Sequence, residues 1–177
     1  MITLKLVRHA ESLGNVDGSQ ADTELSERGR GQAERLRETL DGCAHDLIVS
    51  SPLRRALETA QLALPGAEPR IDARLGEWAR LKDTYIDPVE LTPEFFSALS
   101  REDTPREESF VDFQRRITSW AMSLPDGACV LAFTHYAVVR EAVRALGSLR
   151  RTLPDVPHCE VFEVAFDRTA LDDPPGR

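Results

Sequence analysis

The chain has 177 residues, 41% of them hydrophobic and 29% charged, which is the make-up of one soluble globular domain and leaves little room for two. Lys and Arg number 22 against 30 Asp and Glu, so the net charge of −8 repels nucleic acid and anionic lipid as bulk partners. Any anion that binds needs a local site built for it.

The apolar run Ile2 to Val7 is interrupted by Lys5 and falls far short of a membrane span or a signal-peptide core, so a cytoplasmic protein is the expectation. Cys43, Cys129 and Cys159 are odd in number and widely spaced, with no Cys-x-x-Cys, and are expected to be buried apolar fillers. His9, His45, His135 and His158 form no His-x-His or His-Glu-x-x-His pair, so no metal is expected; no cofactor is expected either.

Ile2 to Val7 alternates and is β-branched, which predicts a strand ending at Arg8-His9; a polar, Gly-containing loop follows through Asp22. Leu25, Ala33, Leu36 and Leu40 share helical spacing behind Ser26, a candidate N-cap. Leu47 to Ser50 reads as a short buried strand. Ser51-Pro52 then reads as an N-cap with Pro at the first position of a helix to about Leu64. Residues 75–109 are rich in charge and Pro and carry the helix-start signal Thr92-Pro93-Glu94, which predicts an insertion with a short helix lying over the sheet. Ser109-x-x-Asp112 opens a helix to about Leu124. Ala128 to Thr134 predicts a strand, Ala137 to Leu146 a helix ending before Gly147, and Cys159 to Phe166 a last strand with Phe162, Val164 and Phe166 on one face.

This alternation predicts an α/β fold in three layers, a mostly parallel central sheet with helices on both faces. A single domain over 1–170 is expected, with 75–109 as its insertion and 171–177 as a frayed tail.

In such a sheet ligands bind beyond the carboxyl ends of the strands. Arg8-His9, then Ser50-Ser51 with Arg54, and then His135 end three successive strands, so all should converge on one rim. Arg54 falls in a first helical turn, where the dipole disfavours a cation by about 0.3–1 kcal/mol, and something else must favour it there. Two arginines, two histidines and helix N-termini on one rim describe a phosphate pocket. Metal-assisted hydrolysis would instead call for carboxylates at the strand ends.

Leu6-Val-Arg-His-Ala-Glu-Ser12 with Asn15 resembles the Arg-His signature of the histidine phosphatase superfamily, which includes the phosphoglycerate mutases. Further ordered matches are Thr23 to Gly29 with Gly31-Gln-Ala33, Val49 to Arg54 with Arg55-Ala and Glu58-Thr-Ala-Gln61, Leu75-Gly-Glu77, Glu108-Ser109, and Phe133-Thr-His135 with Val139-Arg140. The resemblance spans positions 4 to 140. It departs in two places: Trp78-Ala-Arg-Leu-Lys82 follows Glu77 where many relatives carry Gly-x-Trp-Glu-Gly, and Tyr136 stands where a glycine often follows the second His.

What the resemblance implies is a metal-independent phosphomonoester phosphatase working through a phosphohistidine on His9. Arg8, Arg54 and His135 would hold the phosphoryl oxygens, Glu77 would protonate the leaving group, and Asn15 would sit at the pocket edge. Asp83 and Asp87 are the next candidates for the acid. Tyr136 would narrow the pocket or stack on a substrate, the alternative being a packing role. The expected partner is a small phosphorylated substrate or a phosphoprotein. Segment 75–109 sets Arg80, Lys82, Arg101 and Arg106 against nine acidic residues, which favours a phosphatase over a mutase-type phosphotransferase. A non-catalytic phosphate-binding module is the remaining alternative.

Overall fold

Ile2–Arg8 forms β1, whose even positions Ile2, Leu4 and Leu6 are buried on one face while Val7 is buried on the other. The computed structural model describes residues 1–18, 22–78, 108–147 and 155–168. Along these the elements are β1, α1 (Leu13–Asp17), α2 (Glu27–Leu40), β2 (Leu47–Ser50), α3 (Arg54–Ala63), β3 (Arg70–Ile71), a 3-10 turn (Ala73–Leu75), α4 (Phe110–Met122), β4 (Cys129–Thr134), α5 (Tyr136–Leu146) and β5 (Val161–Phe166).

The five strands lie in the order β3-β2-β4-β1-β5. β2 pairs parallel with β3 and β4, β4 pairs parallel with β1, and β5 alone runs antiparallel, against β1. Side chains alternate across β4, so Val130 and Ala132 pack toward α4 and α5, and Leu131 and Phe133 toward α2 and α3. The first layer is built around Phe113, Ile117, Trp120, Val138 and Val139, the second around Leu36, Leu40, Ala60 and Ala63. Each aliphatic side chain fully buried in this way contributes about 1.5–3 kcal/mol. The expected α/β sheet with helices on both faces is therefore present.

Ser26 caps α2 by accepting from Gly29 N, and Ser109 caps α4 by accepting from Asp112 N, as their spacing implies. Gly29 approaches the loop after β1 so closely that an added Cβ would stand 1.9 Å from the Glu11 carbonyl oxygen. Four features differ from the sequence reading. The polar stretch after Arg8 contains the short helix α1, closed by the capping box of Ser12 and Asn15. α3 begins at Arg54, with Ser51 and Pro52 outside it, because Ser51 continues the β2–β4 ladder through Ser51 N to Phe133 O. β3 is only two residues long and carries no periodic signal. Cys43 is exposed, and Cys129 and Cys159 are half-buried.

The helix-start signal at Thr92-Pro93-Glu94, most of the insertion over 75–109 and the tail 171–177 lie outside the described residues. No helix among the described residues is long and apolar enough to cross a membrane.

Candidate active site

The ladder hydrogen bonds continue past the strand ends and set the rim. His9 N donates to Thr134 O at 2.8 Å, and Ser51 N to Phe133 O at 2.9 Å. Ser51, His135 and His9 therefore stand side by side at the carboxyl ends of β2, β4 and β1. On the far side of His9, Cys159 N donates to Arg8 O at 2.9 Å, which seats the segment before β5 against the same rim.

The His9 and His135 rings lie 5.0 Å apart, and only 3% and 0% of these residues is exposed. His9 Nδ1 is 2.7 Å from the Ala10 carbonyl, which can only accept, so Nδ1 carries the proton. Arg55 Nε–H, which can only donate, reaches His9 Nε2 at 3.2 Å. Both contacts fix one tautomer and leave the lone pair on Nε2. Burial holds His9 well below the ordinary imidazole range, reinforced by His135, Arg55 and Arg8 and opposed by the Ala10 carbonyl. His9 is thus a neutral imidazole with its Nε2 lone pair facing a guanidinium.

His135 is held down in the same way, by burial first and then by Arg55, Arg8 and Arg116. Its Nε2 is 2.8 Å from Ser51 Oγ, while its buried Nδ1 has no partner among the described residues.

Arg54 does not join them. Its side chain is 54% exposed, its Nε donates to Glu58 Oε1 at 2.8 Å, and its Nη2 donates to Glu24. Those two carboxylates are what favours a cation in this first helical turn, and Asp22 Oδ1 caps the turn by accepting from Arg54 N at 2.8 Å. Arg55, 8% exposed, is the arginine that faces the histidines. Burial lowers its pKa, opposed by Glu77 and Asp22, and the Asp22 carboxylate stands 3.7 Å from Arg55 Nη1. One turn along the same face, Thr59 Oγ1 accepts from Ala10 N at 3.0 Å and donates to Arg55 O, so α3 grips the loop behind His9. The signal for Arg55 was its helical phase: Arg55, Ala56, Thr59, Ala60 and Ala63 form the buried face, and Arg54 pairs outward with Glu58.

Arg8 donates through Nη1 to Val156 O at 2.7 Å, and its guanidinium lies 5.1 Å from the centre of the Tyr136 ring. Tyr136 is buried in the core, with Arg140 over its ring at 5.6 Å and Arg140 Nη1 donating to its hydroxyl. Tyr136 is therefore a platform under Arg8. Asn15 is exposed and spends its Oδ1 on Ser12 N and Ser12 Oγ, as half of the α1 cap. Glu77 is half-buried, and its Oε1 accepts from Trp78 N at 3.0 Å and from Ala137 N, in the first turn of α5, at 3.3 Å. That brings Glu77 to the helix that follows His135. Asp83 and Asp87 lie outside the described residues.

His158 was missed. Its ring is 5.5 Å from that of His9, and its Nδ1 donates to the His9 carbonyl at 2.7 Å. Burial, with Arg8 adding to it, pushes its pKa down to about 4. No group of three or more His, Cys, Asp or Glu among the described residues is placed to hold a metal ion.

The chain is similar to several known proteins. The chain is 42% identical over 94 residues to the glucosyl-3-phosphoglycerate phosphatase of Mycobacterium tuberculosis (strain CDC 1551 / Oshkosh), a stretch covering 48% of this chain and 42% of that protein. It thus spans less than half the length of that relative. It is 28% identical over 196 residues to the 2,3-bisphosphoglycerate-dependent phosphoglycerate mutase of Thermobifida fusca (strain YX), covering 84% of this chain and 79% of that one. The crystal structure of TTHB049 from Thermus thermophilus superposes with a TM-score of 0.70 at 32% identity, covering 94% of this chain and 95% of that one. Residues 4–170 match the family model of the histidine phosphatase superfamily (branch 1), so the chain belongs to that superfamily.

Proposed function

We propose that the protein is a metal-independent phosphatase of small phosphomonoesters, working through a phosphohistidine on His9. The observation that carries this is the fixed tautomer of His9: Nδ1–H on the Ala10 carbonyl, and Nε2 free of its proton and facing Arg55. The Nε2 lone pair attacks phosphorus in line as the bond to the leaving oxygen breaks. The imidazolium that results keeps Nδ1–H on a carbonyl dipole that favours its positive charge. Arg8 and Arg55 meet the negative charge spread over the phosphoryl oxygens, with Arg55 in the role that the resemblance implies for Arg54. The Ser51 hydroxyl can donate to His135 Nε2, which puts the ring proton on Nδ1 for a phosphoryl oxygen to accept. Glu77 protonates the departing oxygen. It then takes a proton from the water that cleaves the P–N bond, returning His9 neutral.

The acidic balance of residues 75–109 supports a phosphatase over a mutase, because a bisphosphate finds little attraction there. The test is to quench turnover of a labelled phosphomonoester in excess chelator. Acid-labile, alkali-stable phosphate should be found on wild-type protein and none on His9→Ala. Acid-stable label, or label that survives in His9→Ala, would overturn the reading. Interconversion of 2- and 3-phosphoglycerate with bisphosphoglycerate would mark a mutase instead.

A further inference from the structure

Three consecutive backbone carbonyls precede Glu77, and a side chain holds each. Arg116 Nη1 donates to the carbonyls of Arg74 and of Gly76, the latter at 3.0 Å, and Thr134 Oγ1 donates to that of Leu75 at 2.8 Å. Arg116 is itself locked by Glu108, Nε to Oε1 and Nη2 to Oε2, both at 2.7 Å. The Glu108 carbonyl accepts from Trp78 Nε1 at 3.1 Å, on the other side of Glu77 in the chain. Phe113 lies under the Arg116 guanidinium at 5.1 Å. One α4 arginine and its carboxylate partner therefore grip the chain just before and just after Glu77. The Glu77 carboxylate itself accepts from two backbone N–H groups, those of Trp78 and Ala137.

We infer that Arg116, braced by Glu108, is the positioning residue for the general acid: it touches no reacting atom and sets where the Glu77 carboxyl stands. The geometry makes this demanding, since a proton donor must lie within hydrogen-bond reach of the leaving oxygen and a misplacement of about 1 Å can cost on the order of 10²-fold. A lysine cannot replace it, because one ammonium cannot serve a bidentate carboxylate and two carbonyls at once. The inference rests on the proposed acid role of Glu77.

The experiment times phospho-enzyme formation in single turnovers with an alkyl phosphate, whose leaving group needs the proton, and with p-nitrophenyl phosphate, whose leaving group does not. Arg116→Met keeps most of the stem and should lose on the order of 10-fold or more with the alkyl phosphate, against about threefold or less with the aryl one. Glu108→Gln, which leaves Arg116 in place with a weaker brace, should show the same selectivity at smaller size and serves where Arg116→Met fails to fold. In a Glu77→Gln background neither substitution should add alkyl selectivity, because both act through the group already removed. Equal losses on the two substrates, or a selectivity that adds to that of Glu77→Gln, overturns the inference while the acid role of Glu77 stands. If Glu77→Gln itself shows no selectivity, the acid role fails and the inference with it.

Discussion

Arg55 Nε stands 3.2 Å from His9 Nε2, while the guanidinium of Arg54, one residue earlier on the same helix, is tied to Glu24 and Glu58 on the outer side. Adjacent helical residues lie about 100° apart, so only one of the two can face the histidines. Arg55→Lys should slow phospho-enzyme formation by about 10²-fold or more, because a point charge cannot offer a planar fork to phosphate. Arg54→Ala should stay within about threefold of wild type, as exposed ion pairs contribute little. Rapid-quench measurement of both variants decides the assignment; a larger loss for Arg54→Ala reverses it.

That pair also shows where the sequence was legible. Arg8-His9, Ser51 and His135 could be placed on one rim because each closes a strand, and strand ends are set by the change from apolar alternation to polar residues. Arg54 and Arg55 both lie at the start of the third helix, and only the phase of Ala56, Thr59 and Ala63 separates them. Ser12-x-x-Asn15 carries a capping signal, and the structure uses Asn15 there. His158 sits at the turn before the antiparallel strand β5, and its contact with His9 spans 149 positions, a pairing that no local pattern encodes.

Tyr136 gives a second expectation. The cation–π platform under Arg8 is worth about 0.5–2 kcal/mol, so Tyr136→Leu should raise KM by roughly 2- to 30-fold through a loosened Arg8. Tyr136→Phe keeps the ring and should raise it far less. If the two variants behave alike in steady-state kinetics, the hydroxyl bond to Arg140 matters and the platform does not.

Stability should fall in mild acid. His9, His135 and His158 all have folded pKa values below the unfolded value of about 6.5. Below that pH the unfolded chain takes up protons that the folded chain refuses, so unfolding gains. The stabilisation is complete above about pH 6.5 and declines toward about pH 4, where His158 protonates in the folded protein as well. Each histidine contributes a slope of up to about 1.4 kcal/mol per pH unit. Urea unfolding at about pH 7 and about pH 5.5 should show the drop, and His158→Asn should lessen it by one proton's share. A stability unchanged over that interval would contradict the burial of these rings.

For Glu77, the leaving group is the probe. Glu77→Gln should cost on the order of 10²-fold with an alkyl phosphate and much less with p-nitrophenyl phosphate, whose phenolate departs unaided. Single-turnover timing is needed because, in the proposed mechanism, the same carboxylate would also serve the later hydrolysis. Equal losses on both substrates would take the acid role away from Glu77.

β1 precedes every other described element in the chain, yet it lies between β4 and β5, with partners 126 positions away at Thr3–Cys129 and farther still along β5. Arg8 is bound at both ends to the segment entering β5, by its carbonyl to Cys159 N and by its guanidinium to Val156 O. Arg8 is therefore locked in place only once residues 156–159 have been made and have docked. Contacts of such long sequence separation form late and slowly, because loop closure must be met before they give any return. On the proposed function, a growing chain would hold His9 long before it could turn over a substrate, and the first turnover would report that β5 has docked.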